Sequence, residues 1–219
     1  KRAQIIYENE DGEVDQNDED GTAEDYVNQV QNLKIFNSKI SDTKFAEPFS
    51  IPKNWRWVQL GKIANSNIGL TYSPCDIVEK GGILVLRSGN IQNSEMSYFD
   101  NVYVKCNIPE KALIHKGDLL ICARNGSRSL VGKCAIVDKD GMAFGVFMAK
   151  LESQYVPYIK YFLQSPCFRQ KLDSVKTETI NQITQNNLLS TYIPLPPLEE
   201  QKRIVAKIEE LLPLCRSLK

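Results

Sequence analysis

The sequence predicts an α/β protein of the α+β kind: a mixed, largely antiparallel sheet domain with small helices, ending in a protruding coiled-coil-type helix. Three observations carry this. Between Trp57 and Leu151, short runs rich in Val, Ile, Leu and Phe are bounded by Gly, Asn, Asp and Ser, as strands and tight turns require. Helical spacing then returns at Tyr158, Ile159, Phe162 and Leu163. Finally, Ile204, Ile208, Leu211, Cys215 and Leu218 step by 4, 3, 4 and 3 residues, the seam of a coiled coil.

Taken in order, the chain divides into an acidic linker with a short helix (1–50), a sheet domain (51–197) and a terminal helix (198–219). Residues 8–25 are acidic and nearly free of large apolar groups, which reads as a solvated linker. A calcium loop fails there: with Gly21 at the sixth position, Gln16 and Val27 fall where acidic ligands are needed. Thr22-Ala23-Glu24-Asp25 resembles a capping box and starts a helix over about 23–35. The clearest strands are Ile83–Arg87, Leu119–Ala123, Cys134–Asp138 and Ala143–Leu151. Ser165-Pro166 starts a helix, with Ser as cap and Pro at the first helical position. Ile193-Pro194-Leu195-Pro196-Pro197 is too proline-dense for a helix or a central strand and reads as an extended hinge. The seam after it is short and is broken by Pro213, so it needs a partner surface, in this chain or another.

Composition narrows the function classes. The 219 residues carry no net charge, but residues 1–26 hold ten acids against Lys1 and Arg2. Residues 27–219 therefore hold 25 basic and 17 acidic side chains, an excess of +8 that suits a polyanionic partner. No apolar run is long enough to span a bilayer, and no signal peptide is visible. The six cysteines form no Cys-x-x-Cys pair, which with one histidine excludes a zinc site of the usual spacing and suggests a reduced, cytoplasmic protein. Gly126 to Gly132-Lys133-Cys134 has the wrong spacing and the wrong last residue for a phosphate-cradling loop. His115 has no nucleophile elbow to serve. Pro196-Pro197 lies between leucines, so the tetrapeptide of DNA amino-methyltransferases is absent.

Four segments together resemble the specificity (S) subunit of type I restriction-modification systems. Pro52-Lys53-Asn54-Trp55 through Leu60-Gly61 is similar to the start of that family's target-recognition domains, and Leu86-Arg87-Ser88-Gly89-Asn90-Ile91 to the segment after the first core strand. Gly117-Asp118-Leu119-Leu120, continuing to Val131-Gly132-Lys133, is similar to its Gly-Asp run and hairpin. Ile193-Pro194-Leu195-Pro196-Pro197-Leu198-Glu199-Glu200-Gln201 is the most specific match. The chain departs from the pattern in having one recognition domain and one long helix instead of two, and Lys176-Thr177-Glu178-Thr179 where Gly-Thr is common. The resemblance implies a non-catalytic reader of one half of a split DNA site, here the C-terminal half. Its helix would dock methyltransferase subunits, which supply S-adenosylmethionine chemistry, beside a motor-nuclease subunit that uses ATP and Mg. It could also meet a second specificity half or self-associate through the helix. A truncated assembly or regulatory half that binds partners but no DNA is the alternative.

Arg pairs best with guanine and Asn or Gln with adenine, so polar clusters on inter-strand loops are the candidate readers. These are Arg87, Ser88 and Asn90, then Arg124, Asn125, Ser127 and Arg128, with Asn181, Gln182 and the Thr71-Tyr72-Ser73 run as further choices. Lys105, Lys133 and Lys176 suit phosphates. Each also has a plainer reading: Arg87 as a structural ion-pair partner, Asn125-Gly126 as turn chemistry, and Asn181 and Gln182 as a polar surface. Trp55 and Trp57 read as core anchors.

Overall fold

Leu119-Leu120-Ile121-Cys122 is apolar on both faces, which a strand tolerates only when both faces are covered. All four residues are buried, and the strand lies between a layer of helices and a second sheet. The computed structural model describes residues 45–174 and 181–217. The expected linker, the helix over about 23–35, Lys176 and Leu218 lie outside them. In chain order the strands are β1 (Arg56–Gln59), β2 (Asn65–Ile68), β3 (Ile77–Val78), β4 (Ile83–Leu86), β5 (Ile91–Gln92), β6 (Glu95–Met96), β7 (Tyr103–Val104), β8 (Leu113–Ile114), β9 (Leu119–Cys122), β10 (Cys134–Ile136), β11 (Met142–Phe144) and β12 (Met148–Glu152). Helices α1 (Val156–Gln164), α2 (Pro166–Ser174) and α3 (Gln185–Leu189), strand β13 (Tyr192–Leu195) and helix α4 (Leu198–Ser217) follow.

One sheet runs β10-β9-β12-β2, antiparallel throughout. The other runs β3-β7-β4-β11-β8, and its β4–β11 pair is parallel. Side chains alternate across a strand, so β9 divides its residues between two cores. Leu119 and Ile121 join the core under the helices, with Ile159, Leu163 and Phe168; Leu120 and Cys122 join the inter-sheet core, with Leu86, Ile114 and Phe144. Lys150 on β12 is only 3% exposed, yet its ammonium is satisfied: Nζ lies 2.5 Å from Glu152 Oε1 and donates to the Leu113 carbonyl at 2.8 Å. In α1, Tyr158, Ile159, Phe162 and Leu163 are buried, as their spacing requires. The Phe168 amide donates to Ser165 Oγ at 3.3 Å, the cap expected before Pro166.

Three expectations change. The run Ala143–Leu151 is two strands in different sheets, because the chain turns at Gly145–Phe147, where the Met148 amide donates to the Gly145 carbonyl at 2.8 Å. The proline-rich stretch is not a hinge: Tyr192–Leu195 pairs with β1 in a two-stranded ribbon, where Pro194 lacks no ladder partner on a further strand. Pro194, Pro196 and Pro197 are buried, and Tyr158 Oη donates to the Pro194 carbonyl at 2.5 Å. The seam of α4 is split. Ile204 is buried in the helix-side core and Ile208 packs against it, whereas Leu211 and Cys215 are exposed and Leu214 is 59% exposed. Thus α4 docks on its own domain through Ile204 and Ile208 and stays tied to α1 by the Tyr161 Oη bond to Glu209 Oε1 at 3.1 Å, while Leu211, Leu214 and Cys215 near its C-terminal end face solvent.

Candidate nucleic-acid interface

The loops that follow strands converge on one side of the molecule. Leu70–Tyr72 follows β2, Arg87–Gly89 follows β4, Arg124–Gly126 follows β9, and Gly145–Phe147 links β11 to β12. With Asp100, Met148 and Asn181 they line an open cleft of about 1010 Å³. Backbone bonds knit its floor. The Leu70 amide donates to the Phe144 carbonyl at 2.7 Å and the Val146 amide to the Leu70 carbonyl at 2.9 Å. The Gly145 amide donates to the Leu86 carbonyl at 2.9 Å. Ala123 and Arg124 both donate to the Phe147 carbonyl, at 3.0 and 2.9 Å. Gly69 permits this closeness: a Cβ there would lie 2.2 Å from the Phe144 carbonyl oxygen.

Two arginines enter the cleft in different states. Arg87 Nη2 lies 2.9 Å from Asp100 Oδ2, in a pair exposed to solvent on both sides. The exposed Arg124 guanidinium has no carboxylate partner among the described residues; it lies 5.2 Å from the ring centroid of Phe147, which is 55% exposed. Stacking of this kind orients the guanidinium plane while leaving its in-plane N–H groups for another acceptor. Asn125 and Asn181 are held beside it. Asn125 Nδ2 donates to Ser88 Oγ at 3.2 Å, the Asn125 amide to the Asn181 carbonyl at 3.2 Å, and Asn181 Nδ2 to the Gly126 carbonyl at 3.0 Å. The wall therefore presents a cation, amides and hydroxyls, with apolar surface from Val146, Phe147 and Met148.

The cleft brings together Arg87, Ser88, Arg124, Asn125 and Asn181 with Thr71 and Tyr72. Gln182 bridges to Arg124 and lines an adjoining hollow of about 230 Å³. Ser127 and Arg128 are exposed on the next turn, where Arg128 Nη2 reaches the Leu172 carbonyl at 3.4 Å. Lys105 is exposed but is not part of the cleft lining. Asn90 is fully buried: its Oδ1 accepts the Arg87 amide at 2.8 Å and its Nδ2 donates to the Ser97 carbonyl at 2.9 Å. It braces the cleft wall and has no surface to offer a base. Lys133 is half-buried with its ammonium on the Ile91 carbonyl at 2.8 Å, which occupies it internally. Asp100 and Phe147 were not legible as site residues, one lying in an Asp-Asn turn and the other inside an apolar run. Gly145, two residues before Phe147, is the signal that the run breaks.

Other chemistry is not assembled. His115 sits on an exposed turn, 3.5 Å from Asp140 Oδ1, and is not in the cleft. Burial pushes the Cys122 thiol, just before the cleft loop, above its ordinary range despite nearby Lys133. Among the described residues no cluster of three or more His, Cys, Asp or Glu could hold a metal, and no helix is long and apolar enough to cross a membrane.

Residues 52–217 match the model of the type I restriction modification DNA specificity domain. The chain belongs to that family. Its specificity domain is 29% identical over 178 residues to the type I restriction enzyme EcoKI specificity subunit of Escherichia coli K12, covering 77% of this chain and 38% of that one. It is 26% identical over 189 residues to the EcoAI specificity subunit of Escherichia coli, covering 82% and 32%. The chain thus spans about two-fifths or less of the curated relatives it matches. In fold it is similar to the HsdS subunit of Thermoanaerobacter tengcongensis, with a TM-score of 0.61 at 22% identity over 89% of this chain and 44% of that one. A chain of a type I R-M system solved for its complex assembly and conformational transition aligns with a TM-score of 0.62, at 23% identity over 90% and 46%. The curated relatives are named specificity subunits, and the mixed α+β fold with its terminal helix agrees with that of the two solved structures.

Proposed function

We propose that this specificity domain recognises one half of a bipartite duplex DNA sequence through the cleft, and that the solvent-facing apolar side chains near the C-terminal end of α4 dock the subunits that carry chemistry. The observation that carries the reading is the convergence of Arg87, Ser88, Arg124, Asn125 and Asn181, from separate loops, on one cleft whose second arginine has no carboxylate partner among the described residues. Arg and Asn are the side chains that pair bidentately with guanine and adenine edges. The net charge of +8 over residues 27–219 supplies the sequence-independent attraction to phosphates. Methyl transfer from S-adenosylmethionine belongs on this reading to docked methyltransferase subunits, and ATP- and Mg-dependent cleavage to a restriction subunit. Leu211, Leu214 and Cys215 form the exposed strip available to them or to a second specificity half.

The test is selection of duplexes from a random pool by the full chain, with and without a methyltransferase subunit, followed by affinity measurements across salt concentrations. An enriched motif with a steep salt dependence supports the reading. Co-purification with the methyltransferase subunit but no enrichment and no salt-dependent binding would instead favour an assembly half that binds partners without reading DNA.

A further inference from the structure

Phe99 is 98% exposed, the largest departure from burial among the exposed hydrophobic residues of the described chain. Its neighbours on both sides are fixed. The Ser97 amide donates to the Asn90 carbonyl at 2.8 Å, and the Ser97 carbonyl accepts from Asn90 Nδ2. Tyr98 Oη bonds Asp138, and its ring lies 4.0 Å from Lys139 Nζ. Asp100 pairs with Arg87 inside the cleft, and Asn101 Oδ1 accepts from Asn90 Nδ2 at 3.3 Å. A floppy loop would fold a phenyl ring onto the nearest apolar surface, because its exposure to water is unfavourable. This loop cannot do so, since the residues on either side of Phe99 are held by the buried Asn90, by Asp138 and by Arg87. The ring is left in solvent at the rim of the cleft, since Phe99 itself is not part of the lining and the next residue, Asp100, is.

We propose that Phe99 is a wedge that enters between two stacked base pairs of the duplex held in the cleft. The inference rests on the DNA-reading role of the cleft and adds an element of recognition to it. Apolar side chains inserted at a base step unstack it and bend the duplex, and an aromatic ring replaces part of the lost stacking. The cost of unstacking depends on the step and is lowest at pyrimidine–purine steps. Phe99 therefore contributes sequence preference without a hydrogen bond, at a position the polar residues of the cleft do not read. The braced loop makes the insertion effective, because little conformational freedom remains to be lost on binding.

The experiment uses the full chain and the duplex it selects from a random pool, with 2-aminopurine placed in turn at each adenine of the selected motif. Phe99→Ala and Phe99→Tyr are compared with the parent protein. The parent and Phe99→Tyr brighten one position, which lies at a pyrimidine–purine step. Phe99→Ala loses that signal, weakens binding roughly 5- to 150-fold and leaves the slope of affinity against salt unchanged, since no charge is removed. Its melting temperature stays that of the parent, because the ring touches nothing that holds the fold. If Phe99→Ala binds as tightly as the parent and brightens the same position, the wedge is refuted while the cleft remains a reader. If the parent enriches no motif and binds no duplex, both the wedge and the reading beneath it fall.

Discussion

Replacing Arg124 by alanine separates the two things an arginine can do at a DNA surface. In the free protein the side chain is exposed, makes no ion pair among the described residues and rests 5.2 Å from the Phe147 ring centroid. Only that stacking is lost from the fold, about 0.5–1 kcal/mol for an exposed pair. For a chain of this size the loss corresponds to a melting shift of about 2–4 °C at most. On DNA the stake is larger. An arginine bidentate to a guanine edge accounts for about 1–3 kcal/mol of discrimination, a roughly 5- to 150-fold fall in affinity for the selected site. An arginine on a phosphate instead weakens all duplexes alike and lowers the slope of log affinity against log salt by about 0.9.

The assay is equilibrium titration of the selected duplex, and of duplexes with single guanines replaced, at several salt concentrations. Base readout predicts that Arg124→Ala binds the selected and one substituted duplex equally, with the salt slope nearly intact. Arg124→Lys keeps the charge but not the planar fork, so it restores non-specific affinity and not the discrimination. Arg87→Ala serves as the comparison. Its guanidinium must first leave Asp100, an exposed pair contributing about 0–1 kcal/mol, so its net effect on binding is smaller. A folded Arg124→Ala variant with unchanged affinity, site choice and salt slope would refute the role given to this side chain.

Three further outcomes follow from the packing. Gly69→Ala places a Cβ 2.2 Å from a backbone oxygen of the cleft floor, so it costs about 1–3 kcal/mol or more and weakens DNA binding together with thermal stability; calorimetry and titration of one sample check both. Ile204→Ala hollows the root of α4 and lowers stability by about 2–5 kcal/mol, whereas Leu214→Ala, at 59% exposure, changes the unfolding free energy from denaturant melts by no more than about 0.5 kcal/mol and lowers the affinity for a docked subunit. Burial raises the Asp118 carboxyl above the ordinary carboxylate range, outweighing the bond from the His115 amide and the charge of Lys150. A carboxyl with a raised folded value binds its proton more tightly when folded, so it detracts from stability as pH climbs from about 3.8 through that raised value. Asp118→Asn keeps an acceptor for the His115 amide and removes this decline, and denaturant melts at several pH values read the difference.

What the sequence made legible was whatever is decided locally. Ser165-Pro166 caps a helix because the cap bond spans three residues, and Leu119–Cys122 declares a doubly covered strand by being apolar at every position. Tertiary partners decide the remainder. Prolines 194, 196 and 197 look like a hinge until β1 is known to lie beside them, and Ala143–Leu151 looks like one strand until Gly145 is placed against Leu86. The candidate site shows the same limit. Asn90 and Asn125 sit in similar Gly- and Ser-containing loops, yet one is buried as a brace and the other lines the cleft. Composition cannot separate them, because the difference lies in whether another loop, here Ser97–Asn101, closes over the side chain.

The buried prolines bear on how a reader and a docking helix can act as one body. Ile204 at the root of α4, Ile159 of α1 and Ile121 of β9 belong to one core, and Ile121 stands three residues from Arg124. Close-packed cores do not deform continuously, so the path from helix to cleft is stiff. Gln201 reinforces it: only 3% exposed, it donates from Nε2 to the Pro196 carbonyl at 2.8 Å across the junction. A hinge at residues 193–197 would let a docked subunit wander relative to the base it must reach. The observed ribbon, with Tyr158 bonded to the Pro194 carbonyl, fixes the angle at which α4 leaves the domain. On the proposed reading, then, the proline-rich junction sets the distance and direction between bound DNA and docked subunit, and the solvent-facing side chains of α4, Leu211, Leu214 and Cys215, need supply only affinity.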